Sequence, residues 1–259
     1  MKVTLRVFIL LMTTLMLIPV FAVAFDKNDP SAKPCAACHA ITREEVAAMV
    51  GVGADNVAEI VPGPVRGIWE MRVSVDGKIY PIYVDYSKKY ILQGNIIRLS
   101  DKENLTLKSM EELNRVDVSS ISLKNAIVLG KESSNRKIIV LTDPSCAYCI
   151  KLHESIKEAV GKDPEVAFYV MPYPRNSSNK ELYDKCLAAI CDKSGKILDD
   201  IYAGKEAPPA ICKSDAVDEN IRLAGRLKIP GTPSMVLPDG RVISGFRSAD
   251  ELLRLTKQP

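Results

Sequence analysis

The sequence predicts an α/β fold with a mixed sheet in its second half, preceded by a small α+β unit. In the second half, KIIVLTD (137–143) and VAFYVMP (166–172) are continuous apolar runs separated by a helical segment. Such runs indicate strands that are buried on both faces of a sheet. The first half has shorter β-branched and aromatic runs around Asp76-Gly77, a dipeptide typical of antiparallel hairpins.

Residues 25–102 are predicted to form the small first domain. Thr42 and Glu45 have the spacing of a capping box, so a helix should begin there and end near Gly51. GIWEMRVSV, KIYPIYV and KYILQGNIIRL then predict three strands of an antiparallel sheet. Because a unit of this size buries little core by itself, we expect it to pair with a partner.

A connecting helix is predicted within residues 103–125. Apolar residues recur there every three positions among charged neighbours: Leu107, Met110, Leu113 and Val116. This spacing indicates a helix with one apolar stripe. The alternative is that this helix is simply the last helix of the first domain.

Residues 126–259 are predicted to form the second domain. A helix should follow Pro144, and helical sequence with several Cys occupies roughly 179–228. PSMVLP and RVISGF, joined by a Pro-Asp-Gly turn, predict a hairpin. Ser248 and Glu251 form a second capping box before the last helix.

The chain begins with the features of an export signal. Lys2 and Arg6 make a short basic start, an apolar stretch follows from Val7, and Ala22-Val23-Ala24 fits the small-x-small pattern of signal-peptidase cleavage. We expect residues 1–24 to be removed, with an uncleaved membrane anchor as the alternative. Cleavage removes two bases and lowers the formal net charge from +3 to +1, so the charge gives no reason to expect nucleic-acid binding.

Cys146 and Cys149 form a CxxC pair directly after the predicted strand KIIVLTD. Pro144 and Ser145 lead into the helix, so Cys146 should lie at its N-terminus. Unpaired N–H groups and the helix dipole there stabilise a thiolate and lower the thiol pKa from about 8.5. Cys146 is therefore predicted to be the exposed nucleophile, and Cys149 the thiol that resolves mixed disulfides.

Other uses of this pair fit less well. A structural zinc site needs four ligands, and only His153 lies nearby in the sequence, so no metal site is predicted. Heme attachment requires His directly after the second Cys, where this chain has Ile150. An inert bridge is the remaining alternative, although a strand-to-helix corner usually leaves such a pair accessible.

Several short motifs carry a resemblance to a known family. LTD precedes CAYC, KLH (151–153) follows it, and MPYPR (171–175) and the loop Gly231-Thr232-Pro233 come later. In these motifs the chain resembles the periplasmic disulfide isomerases of the DsbC/DsbG family. The resemblance implies a thioredoxin-like catalytic domain with a helical insertion, preceded by a small α+β dimerisation domain and a linker helix.

The resemblance also implies site residues and partners. The Thr232–Pro233 peptide bond should be cis, with Thr232 facing the Cys pair and the adjacent backbone pairing with an unfolded client. Tyr148 is assigned to substrate binding with these two residues. The expected partners are misfolded or wrongly bridged exported proteins, a second copy of the chain, and a DsbD-type membrane reductase. The thiol chemistry requires no cofactor.

The predicted helical insertion contains three further Cys. Cys191 and Cys212 fall where some members of the family carry a structural disulfide, so the resemblance implies that bridge here. Cys186 is then the odd thiol. It is interpreted as a buried apolar residue, or alternatively as a competitor for Cys212.

A second motif, CAACH, departs from the family pattern. Cys35, Cys38 and His39 match the c-type heme signature, in which both thiols bond the porphyrin and the His is an axial ligand. A disulfide or redox-active dithiol is an equally good interpretation. Only about ten residues lie between the expected cleavage point and the motif, and no cytochrome-like helical sequence surrounds it.

The predicted function is a periplasmic thiol:disulfide isomerase and reductase that rearranges wrong disulfides through Cys146 and Cys149. One alternative is a heme c-bearing electron carrier, in which CAYC (146–149) passes electrons to or from CAACH (35–39). Another is a holdase chaperone, whose activity would survive the loss of both Cys.

Overall fold

The computed structural model describes residues 40–257. This part of the chain contains seven α-helices and two sheets. None of its helices has the length and apolar character needed to span a bilayer. The expected signal (1–24) and the CAACH motif (35–39) lie outside the described residues.

The first sheet is antiparallel, with the strand order β1-β2-β3-β4. Its strands are β1 (Val57–Pro62), β2 (Ile68–Val75), β3 (Lys78–Asp85) and β4 (Ile91–Leu92). Helix α1 (Arg43–Val50) contacts β1 and has the predicted capping box. The Thr42 hydroxyl accepts from the N–H of Glu45, the Glu45 carboxylate accepts from the N–H of Thr42, and Gly51 ends the helix at φ 72°.

The hairpin between β2 and β3 turns at the two residues that the sequence predicted. Asp76 and Gly77 have φ values of 49° and 70°, which a two-residue type I′ turn requires. The third predicted strand is reduced to the two residues of β4. The chain after it folds back on itself, since the N–H of Arg98 bonds to the carbonyl of Glu103 at 2.8 Å. Strand β1 was not predicted.

Helix α2 (Leu105–Leu113) is shorter than the predicted connecting helix. Asn114 ends it, because its amide group exchanges two 2.8 Å hydrogen bonds with the backbone of Ile79. The N–H of Val116 bonds to the carbonyl of Gly240 at 2.8 Å, and a Cβ at Gly240 would collide with the Val116 backbone. Val116 therefore packs into the second domain and does not continue the helical stripe.

The second sheet is mixed, as predicted, with the order β5-β7-β6-β8-β9. Its strands are β5 (Ile127–Gly130), β6 (Lys137–Thr142), β7 (Ala167–Pro172), β8 (Ser234–Val236) and β9 (Val242–Ser244). Strands β6 and β7 are parallel, and the other pairs are antiparallel. The edge strand β5 was not predicted, because four residues are too few for a clear pattern.

Helices cover both faces of this sheet. They are α3 (Ala147–Lys162), α4 (Lys180–Asp192), α5 (Lys196–Tyr202), α6 (Ala216–Arg226) and α7 (Ala249–Leu255). Ile138 and Val140 of β6 share a core with α3, α5 and α7, whereas Ile139 and Leu141 share a core with α6. Each such buried side chain stabilises the fold by about 1.5–3 kcal/mol. The double-sided core explains the continuous apolar run of β6.

Candidate active site

The CxxC pair lies where β6 passes into α3. Strand β6 ends at Thr142, and the chain then turns so that Cys146 is the N-cap residue of α3. The N–H groups of the first helical turn are unpaired within the helix and lie next to this residue. The predicted position of Cys146 at a helix N-terminus is confirmed.

Cys146 is less exposed than the sequence predicted. The residue is 8% exposed, compared with 1% for Cys149. The loop before Pro233 covers it, and the thiol donates to the carbonyl of Thr232 at 3.2 Å. The sequence could not predict this cover, because Thr232 is 86 positions away from Cys146 along the chain. Cys146 is nonetheless the more accessible residue of the pair.

The surroundings of Cys146 favour its thiolate. Burial raises the pKa of this thiol, but the polar side chains of Thr232 and Cys149 next to it lower the pKa. The backbone N–H groups of Cys149 and Tyr148 act in the same direction as these side chains. The net effect is a pKa below the ordinary value for a thiol.

Cys149 has the opposite character. Burial raises its pKa to about 11, although the N–H of Asp143, 3.5 Å from Sγ, and the Thr142 hydroxyl partly offset this. At neutral pH it is therefore a protonated thiol beside a reactive one. Two neighbouring sulfurs with opposite pKa shifts can perform thiol–disulfide exchange in two distinct steps.

The loop opposite the pair is held by the β8–β9 hairpin. The Thr232–Pro233 peptide bond is cis, as the resemblance implied. The Pro233 carbonyl accepts from the N–H of Gly245 at 2.8 Å, and the Ser234 hydroxyl lies 2.8 Å from that of Ser244. The Thr232 hydroxyl is buried and has no hydrogen bond of normal geometry, although it lies close enough to both sulfurs to favour their thiolates.

Tyr148 lies between the two Cys and is 61% exposed. Its ring has the ammonium group of Lys151 5.7 Å from the centroid. The structure thus brings Tyr148, Thr232 and Pro233 to the same place as the Cys pair. An exposed aromatic ring beside a reactive sulfur offers apolar surface to a client.

Asp143 was not singled out from the sequence. It is buried, and its carboxylate accepts from the N–H and hydroxyl of Ser145 at 2.7 and 2.6 Å. It also accepts from the N–H of Arg175 at 2.8 Å, and the Arg175 guanidinium lies 3.5 Å away. Asp143 therefore fixes the turn before Cys146 to the MPYPR segment. The LTD and MPYPR motifs contained this signal, but the sequence did not show that they meet.

The other Cys of the second domain lie outside this site. Cys191 and Cys212 form a disulfide, with Cα atoms 5.7 Å apart, that joins the end of α4 to the loop before α6. Cys186 is buried among apolar residues, and burial raises its pKa well above the ordinary value. Within residues 40–257, no cluster of three or more His, Cys, Asp or Glu side chains could hold a metal ion.

A dithiol at a helix N-terminus, facing a cis-proline loop on a mixed sheet, defines a thioredoxin-like thiol–disulfide oxidoreductase. Residues 123–258 match the thioredoxin-like domain, and residues 30–107 match the disulfide bond isomerase protein N-terminal domain.

Curated relatives agree with both matches. The thiol:disulfide interchange protein DsbC of Escherichia coli K12 is 30% identical over 198 residues, covering 75% of this chain and 79% of that protein. Its Salmonella typhimurium counterpart is 32% identical over 174 residues, covering 66% and 70%. The probable DsbC of Bordetella avium is 27% identical over 204 residues, covering 78% and 70%. The chain belongs to the DsbC family of thiol:disulfide interchange proteins.

Proposed function

We propose that the protein is a thiol:disulfide isomerase and reductase that acts on wrongly bridged exported proteins. The observation that carries this proposal is the difference between its two active-site thiols. Cys146 is the more accessible and has a lowered pKa, whereas Cys149 is buried and has a pKa of about 11. The names of the relatives, thiol:disulfide interchange proteins, support the same activity.

The reaction begins when the Cys146 thiolate attacks one sulfur of a client disulfide. That S–S bond breaks, the other client sulfur leaves as a thiolate and takes up a proton, and a mixed disulfide forms. In isomerisation, a client thiolate then attacks the mixed disulfide, forms a new client disulfide and releases Cys146 with no net redox change. In reduction, Cys149 attacks Sγ of Cys146 and the client leaves as a dithiol.

The high pKa of Cys149 favours isomerisation. At neutral pH nearly all of this thiol is protonated, and the thiol form is not the nucleophile. A bound client therefore has time to attack the mixed disulfide with its own thiol. Tyr148, Thr232 and Pro233 would hold the client during this interval through apolar and backbone contacts.

We propose that two copies of the chain pair through residues 25–102. Strand β4 is an edge strand of the first sheet, and its unpaired backbone groups can accept another strand. Apolar side chains around it are exposed: Tyr90, Ile91, Leu92, Ile97 and Leu99. Such a patch on a sheet edge supports association with a second copy.

We place the protein in the periplasm, with a membrane reductase of the DsbD type as electron donor. The export-signal features of residues 1–24 support this location. Each time Cys149 resolves a mixed disulfide, the pair loses two electrons. An electron donor on the same side of the membrane must return them before Cys146 can attack again.

The CAACH motif favours a second candidate, a heme c-bearing electron carrier. We propose a thiol role for Cys35 and Cys38 instead, because the motif falls inside residues 30–107, which match the isomerase N-terminal domain. The described residues that follow it form α1 and an antiparallel sheet, not a helical cytochrome-like domain. A thiol role also agrees with chemistry that needs no cofactor.

The mass of the exported protein distinguishes the two candidates. For a thiol role, mass spectrometry after expression in cells competent in cytochrome maturation should show no heme increment. If the two thiols are bridged, alkylation should find them only after reduction. A heme-sized increment with a c-type reduced α-band, changed by His39→Ala, would contradict the thiol role.

The catalytic proposal is tested with scrambled ribonuclease. Cys146→Ser removes the attacking sulfur and should abolish recovery of ribonuclease activity. Cys149→Ser should keep partial isomerase activity and accumulate mixed disulfides, visible on non-reducing gels. If Cys146→Ser restores ribonuclease as fast as wild type, the holdase alternative replaces the enzyme.

A further inference from the structure

Two hydroxyl groups lie next to the resolving thiol and take no part in the exchange steps above. Tyr202, the last residue of α5, is buried, and its Oη lies 2.5 Å from Oγ1 of Thr142. Thr142 ends β6 and directly precedes Asp143, whose N–H points at Sγ of Cys149. The hydroxyl pair is therefore adjacent to the buried sulfur.

The number of protons determines the direction of this hydrogen bond. The Tyr202 hydroxyl has one proton, and among residues 40–257 its hydrogen bond is to Thr142 alone. Because an unused buried O–H is costly, Tyr202 donates and Thr142 accepts. The Thr142 hydroxyl keeps its own proton free to donate, and it lies close enough to Sγ of Cys149 to favour the thiolate of that residue.

His153 holds the ring of Tyr202 in place and is itself held by Asp199. Its ring packs against the ring of His153, with centroids 4.9 Å apart. Nε2 of His153 lies 2.6 Å from Oδ1 of Asp199, which is one turn before Tyr202 on α5. Because His153 follows Cys149 by one turn of α3, these contacts join the helical insertion to the helix that carries the active-site pair.

We propose that Tyr202 and Thr142 form a chain of two hydroxyls that directs a hydrogen bond onto Sγ of Cys149 and stabilises its thiolate during resolution. This inference rests on the proposed role of Cys149 as the resolving thiol. Tyr202 acts through Thr142 and is a positioning residue. The helical insertion thereby contributes to the chemistry as well as to the core.

The resolution step shows where such a hydrogen bond acts. Cys149 releases its proton, and its thiolate attacks Sγ of Cys146. The bond between Cys146 and the client sulfur breaks, and that sulfur leaves as a thiolate that takes up a proton. The dithiol of the protein is oxidised by two electrons and the client disulfide is reduced. Stabilising the Cys149 thiolate increases the fraction of protein able to react.

Other titratable groups near this sulfur are left unchanged by a substitution at Tyr202. They are Cys146 on α3, Asp143 and Tyr173 after β6 and β7, Cys186 on α4, and His153 on α3, with Arg175 beside Asp143. Removing the Tyr202 hydroxyl leaves Thr142 without its donor and without a fixed orientation. The pKa of Cys149 should therefore rise further.

The test is Tyr202→Phe, which keeps the ring that packs on His153. The full chain carries Cys35→Ser and Cys38→Ser, and only its active-site pair is reduced, with the Cys191–Cys212 disulfide left intact. It is mixed with dithiobis(nitrobenzoate) in a stopped-flow instrument. Attack by Cys146 releases the first thionitrobenzoate, and resolution by Cys149 releases the second. The second phase is recorded as a function of pH.

In Tyr202→Phe we expect the second phase to be about three- to tenfold slower at neutral pH. Its pH midpoint should move up by about half to one unit, and the first phase should not change. The matched control is Tyr169→Phe, which removes a hydroxyl that donates to the Glu132 carbonyl at 2.8 Å, away from the thiols. It should leave both phases at wild-type rates.

A double-variant comparison completes the test. In a Thr142→Val background the chain is already broken, so Tyr202→Phe should cause no further change in the second phase. An additive effect, or a Tyr202→Phe profile with the wild-type midpoint, would overturn the inference while leaving the proposed function standing. Absence of any second phase in the wild-type pair would instead overturn the role of Cys149 itself.

Discussion

At the scale of single residues, the reactivity of Cys146 results from two opposing effects. Burial disfavours its thiolate, whereas the nearby polar groups of Thr232, Cys149 and the first helical turn favour it. The lowered pKa shows that the second effect is the larger. Its position at the start of α3 could be predicted from the sequence. The contribution of Thr232 could be expected only from a family resemblance.

Thr232→Val tests this balance, because it keeps the shape of the side chain and removes the hydroxyl. Losing the polar interaction of this hydroxyl with Sγ, worth at most about 0.5–1.5 kcal/mol, should raise the pKa of Cys146 by up to about one unit. The thiolate fraction at neutral pH then falls, since the group titrates at higher pH. Iodoacetamide alkylation of Cys146 as a function of pH measures the midpoint, and an unmoved midpoint would rule out this contribution.

At the scale of elements, the sequence predicted best those structures that depend on residues close to one another along the chain. The capping box at Thr42, the Asp76-Gly77 turn and the buried strand β6 all follow from local patterns, and all are present. The predicted C-terminus of helix α2 was wrong. Val116 continues the apolar spacing of the helix, but its N–H bonds to the carbonyl of Gly240. A contact across 124 positions has no counterpart in local periodicity.

The same distinction applies to the site. The CxxC pair and its order of reaction could be predicted from spacing and the position of the helix. Two other contacts could not be predicted, because each joins different elements of the fold. They are the contact of Asp143 with Arg175 and that of Thr142 with Tyr202. His153, one turn after the CxxC pair in the sequence, packs against Tyr202, a contact that the sequence did not predict.

At the scale of the whole molecule, the second domain contacts the hairpin of the first. The ammonium group of Lys78 in β3 donates to the carbonyl of Lys228 at 2.5 Å, and Arg115 after α2 donates to the carbonyl of Asp239 at 3.0 Å. Both sheets belong to one compact unit that begins at Thr42. The hairpin side of the first sheet is thus occupied, while the apolar edge at β4 is exposed.

Dimerisation through that edge is tested with Leu92→Glu combined with Leu99→Glu. Leu92 belongs to β4 and Leu99 is 79% exposed, so the changes should cost little stability in a single copy. In a dimer they would place like charges in an apolar interface, where each is costly to bury. We expect sedimentation velocity at micromolar concentration to show a dimer for wild type and a monomer for this variant.

The matched control is Ile211→Glu, because Ile211 is 83% exposed in the second domain, away from the β4 edge. This variant should stay dimeric. The monomeric variant should still react with dithiobis(nitrobenzoate) at the wild-type rate, since its active-site pair is intact. It should isomerise scrambled ribonuclease poorly if two catalytic domains must hold one client between them. A wild-type monomer, or an edge variant that stays dimeric, would contradict pairing through the first sheet.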